Sequence, residues 1–142
     1  MKAISIQQPY AHWIALGIKR IENRTWATRH RGLLAIHAGK SLARLTAQDE
    51  QLYPNMTFGG IVAVVTLAGC WTLDEIWAGK LSKQFDWVFV HPHTEGPVCW
   101  VFGVAICRFA EPIPYRGRQG LFNVPDELLT AVDVGRGSPA NK

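Results

Sequence analysis

Hydrophobic and polar positions alternate along KAISIQ (residues 2–7), the period-2 pattern of a short strand. Pro9 suits the first turn of a helix, in which Tyr10, Trp13, Ile14 and Leu16 share one face and Gly17 is a natural stop. Residues 19–26 read as extended chain, Arg31-Gly32 as a turn, and LLAIHA (33–38) as a second clear strand. A helix is expected from the low forties to Tyr53, with Thr46 and Asp49 as caps and Pro54 as the breaker. GGIVAVVTLAGCW is β-branched and apolar on both faces, as a buried central strand should be. Thr72-x-x-Glu75 is a capping-box pattern that opens a short helix containing Ile76 and Trp77.

FDWVFV (85–90) and VCWVFGVAICRF (98–109) read as two further strands, the second long, with Gly103 a candidate bulge. EPIPYRG reads as a turn-rich connection and Pro125 to Val132 as a last helix. About six strands with short helices between them, not regularly alternating, point away from a doubly wound parallel sheet. They predict an α+β fold: a small, mostly antiparallel barrel decorated by helices.

At 142 residues and 48% hydrophobic, the chain has the size of one domain. We expect that domain over 1–132, with a flexible Gly-, Pro- and Ser-containing tail over 133–142. No run approaches the roughly 18 to 20 apolar residues of a membrane span. MKAISIQQPY, with one lysine and no long apolar stretch, does not read as a signal peptide, so the expected location is cytoplasmic. Cys70, Cys99 and Cys107 fit no paired zinc or disulfide spacing and read as reduced core thiols.

Charge changes the picture. Residues 1–44 carry eight Lys/Arg and one acid, whereas residues 45–98 carry two and six. A one-sided basic segment is the footprint of a polyanion binder. Within it lies GIKRIENRTW (17–26), where Lys19, Arg20, Glu22, Asn23 and Arg24 crowd together before Trp26. Strict alternation would separate Lys19 from Glu22, so their meeting requires a turn just after Gly17. If they meet out of water, the lysine becomes a weaker base's conjugate acid and the pair can move protons. If they meet at the surface, they are an ordinary ion pair.

Arg20, Glu22, Arg24 and Trp26 fall on one face by alternation, a set able to stack a base and bond its edge. Arg29 and Arg31, flanking His30 at a turn, read as a phosphate clamp or a solvated loop. Gln8 is a poor helix cap, which suggests that its amide is used elsewhere, in a pocket where Gln8, Glu22 or Asn23 reads a ligand's edge; Tyr10 fits either core or cleft. His37, late on an apolar strand, reads as a buried histidine or a pocket residue. Lys40 adds to the basic face. His91-Pro92-His93 lacks a third ligand at a recognisable spacing, so no metal is expected. There is no P-loop, GxSxG or dinucleotide fingerprint, and no cofactor is expected.

The stretch SIQQPYAHWIALGIKRIENRTWATRHRGLLAIHAG closely resembles the ASCH family, a branch of the PUA-like superfamily. The matching features are Gln8-Pro9-Tyr10-Ala11, Gly17-x-Lys19-x-x-Glu22, Arg24-x-Trp26, and Arg31-Gly32 before a strand ending Ile36-His37-Ala38. EPIPYRGRQGLFNVP looks like the C-terminal portion of bacterial and phage-type members.

The resemblance implies a PUA-like barrel with a cleft beside the first helix, and a role in nucleic-acid or nucleoside chemistry. Relatives include RNA-binding modules, readers of modified bases, an N4-acetylcytidine amidohydrolase and a proposed ribonuclease. The amidohydrolase has its lysine where this chain has Lys19, but places a threonine nucleophile where Glu22 stands. Its glutamate past the central strand corresponds in region to Glu75, which the capping box also claims. The expected function is therefore binding of RNA or a modified nucleobase in a basic cleft. The alternatives are a small hydrolase using Lys19 and Glu22, and a protein-interaction module.

Overall fold

The computed structural model describes residues 1–133, so residues 134–142 of the expected tail lie outside it. Along the chain run β1 (Lys2–Ile6), α1 (Tyr10–Ala15), β2 (Ile21–Arg24), β3 (Gly32–Ala38), α2 (Ala47–Leu52), β4 (Gly60–Thr72), α3 (Leu73–Trp77), α4 (Asp86–Val90), β5 (Val98–Pro114), β6 (Leu121–Asn123) and α5 (Asp126–Asp133). The strands form one mixed sheet in the order β2-β5-β4-β3-β1-β6. All pairs are antiparallel except β1 with β3, which are parallel. The architecture is the α+β one that the sequence pattern implies.

β4 lies between β3 and β5, which explains why its sequence is apolar on both faces. Both capping boxes form, Thr46 with Asp49 and Thr72 with Glu75, and fix where α2 and α3 begin. Between the Leu67–Phe102 and Val65–Ala105 partners β5 carries one extra residue, so the strand bulges next to Gly103.

The sheet has a core on each face. Ile4, Ile6, Leu34, Ile36, Leu67, Trp100 and Phe102 pack under α1. Ala3, Ala35, Ile61, Phe109 and Phe122 pack on the other face with Leu129 of α5. The ladder does not close between its edge strands, β2 and β6. On the β2 side the sheet curls far enough for Arg24 Nη2 to donate to the Ser5 carbonyl of β1, 2.7 Å away. A side chain spans the seam where β2, only four residues long, offers no further backbone.

Three segments depart from the pattern reading. FDWVFV is not a strand: residues 86–90 are α4. The segment does not join the free edge of β2; Val88 packs instead into a cluster with Ile21, Cys99 and Val101 of β2 and β5. Phe85, Trp87 and Val88 turn inward, while Phe89 and Val90 face solvent. β5 also runs through EPIP to Pro114, paired with Gly60, where a turn is expected. Finally, Leu121–Asn123 forms an edge strand on β1 too short to leave a pattern.

Candidate nucleic-acid interface

The site grows out of the turn between α1 and β2. Gly17 takes a φ of 82°, and the backbone N–H groups of Ile18 and Lys19 both donate to the Trp13 carbonyl. This tight reversal swings Lys19 inward, so that it meets Glu22 despite their spacing. Lys19 is 5% exposed and Glu22 8%, and Lys19 Nζ lies 3.9 Å from Glu22 Oε1. Glu22 Oε2 is 3.2 Å from Arg24 Nε, and Lys19 Nζ sits 5.2 Å from the centre of the Tyr10 ring. Burial pushes the Lys19 ammonium below its usual range, against the pull of Glu22. Burial pushes the Glu22 carboxyl up, against the pull of Arg24 and Lys19.

Glu22 and Arg24 face a cleft of about 740 Å³. Tyr10 and Trp26 supply aromatic walls, and Lys40, Arg44 and Arg118 supply cations. Trp26 is braced edge-on against the buried Trp100, at 4.8 Å and 83°, and Trp100 Nε1 donates to the Trp26 carbonyl. Lys19 stands behind this wall, against Glu22 and Tyr10, and is not part of the lining.

A second cavity, of about 840 Å³, adjoins the first; Ser5, Gly39, Lys40, Arg118 and Gln119 belong to both. His37, 2% exposed, is in its wall. His37 Nε2 lies 2.7 Å from the Tyr115 carbonyl, which requires N–H there, so Nδ1 accepts from Ser5 Oγ at 3.0 Å. Burial lowers the His37 pKa, in keeping with this neutral imidazole.

The remaining sequence candidates go elsewhere. Gln8 is fully buried: Oε1 accepts from the His12 N–H of α1 and Nε2 donates to the Thr57 carbonyl. Its amide therefore ties the helix start to a loop, and Gln8 lines neither cavity. Arg20 precedes β2, so alternation does not extend to it. Its Nε donates to the Phe102 carbonyl and its guanidinium lies 4.6 Å over the Trp87 ring, away from the cleft. Asn23 is at the cleft edge, but Nδ2 donates to the His93 carbonyl and Oδ1 accepts from the N–H groups of Glu95 and Gly96. Arg29 is exposed and lines neither cavity; Arg31 folds back onto the Thr28 and His30 carbonyls. Glu75 is occupied at the start of α3, where its carboxylate accepts from Thr72, and does not approach the Lys19–Glu22 pair.

Sequence reasoning missed Arg44, Arg116 and Arg118. Arg44 belongs to the basic first segment, a signal that could have found it. Arg116 and Arg118 lie in a third of the chain whose charges nearly cancel; only the fold brings Arg118 to the cleft and Arg116 to the cavity beside it.

With this geometry in place, comparison with known proteins is informative. The family model described as ASCH domain matches residues 4–98. Among solved structures, crystal structures of the ASCH protein from Zymomonas mobilis share the fold. A tyrosine-to-phenylalanine variant superposes with a TM-score of 0.54 at 16% identity, covering 94% of this chain and 96% of that one. A serine-to-alanine variant gives 0.53 at 16% identity, covering 94% of each. No curated protein matches the chain in sequence.

Proposed function

The chain belongs to the ASCH domain family, and on that premise we propose that it binds RNA or a modified nucleobase in the cleft beside α1. The observation that carries this reading is the composition of one wall system. Tyr10 and Trp26 offer π-faces, Glu22 offers an acceptor for a base edge, and Lys40, Arg44 and Arg118 offer positive charge. Single-stranded RNA is held by this combination: unstacked bases on aromatic rings, edges on hydrogen-bonding groups, phosphates on Lys and Arg. Among the described residues, Lys40, Arg44 and Arg118 form no ion pair, so their charge is available to a ligand. The test is fluorescence anisotropy with a labelled single-stranded RNA, for the native chain and Trp26→Ala. Binding that weakens with salt and is weaker in the variant supports the reading; equal binding by both overturns it.

A second reading, hydrolysis of a nucleoside amide or of RNA, is favoured by one feature, the desolvated Lys19 in contact with Glu22. In this reading Glu22, which reaches the cleft, exchanges a proton with substrate or water, and Lys19 holds the charge behind it. Turnover of N4-acetylcytidine, absent in Glu22→Gln, tests it.

A further inference from the structure

The second cavity has no role in the base-binding reading, yet it is continuous with the cleft. We propose that it is the subsite for the phosphate of an adjoining nucleotide, so that the ligand is an oligonucleotide of at least two units and not a free nucleoside. The inference rests on the cleft being a base-binding site and adds the class of molecule that enters it.

Charge is the first argument. The ionisable lining of the second cavity includes Lys40, Arg116 and Arg118 and no carboxylate. None of these three cations forms an ion pair with another described residue. His37, with both ring nitrogens engaged, brings no negative charge to the wall. Three uncompensated cations around one hollow favour an anion, and a phosphodiester is the anion that follows a base along a nucleic-acid chain.

The second argument is that the hollow is built. The Tyr115 N–H donates to the Gly59 carbonyl, and the Tyr115 carbonyl accepts from His37. These two bonds fix the chain just before Arg116. A Cβ on Gly117 would stand 2.6 Å from His37 Cε1, and one on Gly59 would stand 2.8 Å from Lys40 Cε. Glycine at 117 lets the loop close on the imidazole, whereas the flexible Lys40 stem can move aside and Gly59 is required by its φ of 77°. His37 is thus a positioning residue for a basic loop.

The third argument is the division of labour. The cleft holds Tyr10, Trp26 and Glu22, groups that recognise a base; the ring in the second cavity, Tyr115, is already stacked on Phe122 at 6.2 Å and 7°. Lys40 and Arg118 stand on the shared wall, where the link between two units would pass.

Isotope-edited NMR titration of the full chain with cytidine, cytidine monophosphate and the dinucleotide CpC, and with the adenosine series, tests this. The expected order is nucleoside weakest and dinucleotide tightest, by about tenfold or more, with the gain shrinking as salt rises. Arg116→Gln, an exposed position, should remove that gain and leave nucleoside affinity unchanged. Equal affinity for nucleoside and dinucleotide, or tighter binding of the monophosphate than of the dinucleotide, overturns the oligonucleotide inference while the base site stands. Failure of every probe to bind overturns both.

Discussion

Lys19 Nζ and Glu22 Oε1 lie 3.9 Å apart inside the protein, and Glu22 alone of the two also reaches Arg24, at 3.2 Å. The pair is therefore asymmetric. Glu22→Gln strips the carboxylate from between two cations and should cost about 3–5 kcal/mol, the usual cost of orphaning a buried charge. Lys19→Met leaves Glu22 paired with Arg24 and should cost roughly half of that or less. Urea unfolding of the two variants checks the order. Equal costs, or a larger one for Lys19→Met, would show that the pair does not work this way.

Acid should destabilise the fold through its histidines. Burial lowers the pKa of His37, and those of His12, His91 and His93 are lowered too. A depressed folded-state pKa means that the unfolded chain binds more protons near pH 6.5. Stability is then fully present above that value and is lost as pH falls through the folded pKa values. The melting temperature should drop between pH 7 and 5, and His37→Gln should lessen the drop. Because the raised Glu22 carboxyl acts in the opposite sense, the comparison decides: an unchanged profile in His37→Gln contradicts the neutral, hydrogen-bonded His37.

Trp26 is held against Trp100 by an edge-on contact and by the indole hydrogen bond to its carbonyl. Because that hydrogen bond uses backbone, Trp26→Ala leaves it intact and removes the stacking face. The loss in RNA binding should be about 1–3 kcal/mol, the value of one base on one ring. Trp26→Phe should recover part of it. Anisotropy titrations of both variants measure the difference.

Asn23 separates structure from recognition. Its Oδ1 accepts from Glu95 and Gly96 N–H and its Nδ2 donates to the His93 carbonyl. Asn23→Ala leaves these backbone groups without partners and should destabilise the fold by about 1–3 kcal/mol. RNA affinity of the folded variant should be unchanged. A selective loss of affinity with normal stability would instead assign the amide to the ligand.

Where local chemistry decides the outcome, the sequence was informative. The Thr46–Asp49 and Thr72–Glu75 boxes, the two-faced apolar run of β4 and the inward turn after Gly17 all follow from neighbours in the chain. FDWVFV misleads because alternating and helical patterns coincide over so few residues; the packing of Val88 with Ile21, Cys99 and Val101 is a tertiary fact the segment does not carry. The cleft was half visible. Tyr10, Glu22, Arg24, Trp26 and Lys40 are near one another in sequence and in space, whereas Arg118 arrives through the β5–β6 connection. Gln8 and Arg20 looked available because their partners, Thr57 and Phe102, are distant in the chain.

In this proposal the nucleic acid lies in the cleft beside α1 and the cavity that adjoins it. That placement is tested most directly by mapping amide chemical-shift changes while a short single-stranded RNA is added. The expected changes cluster at Tyr10, Glu22 to Trp26, Lys40 to Arg44 and Gly117 to Gly120. Changes clustered instead on the exposed apolar side chains of α3 and α4, at Trp77, Phe89 and Val90, would contradict it.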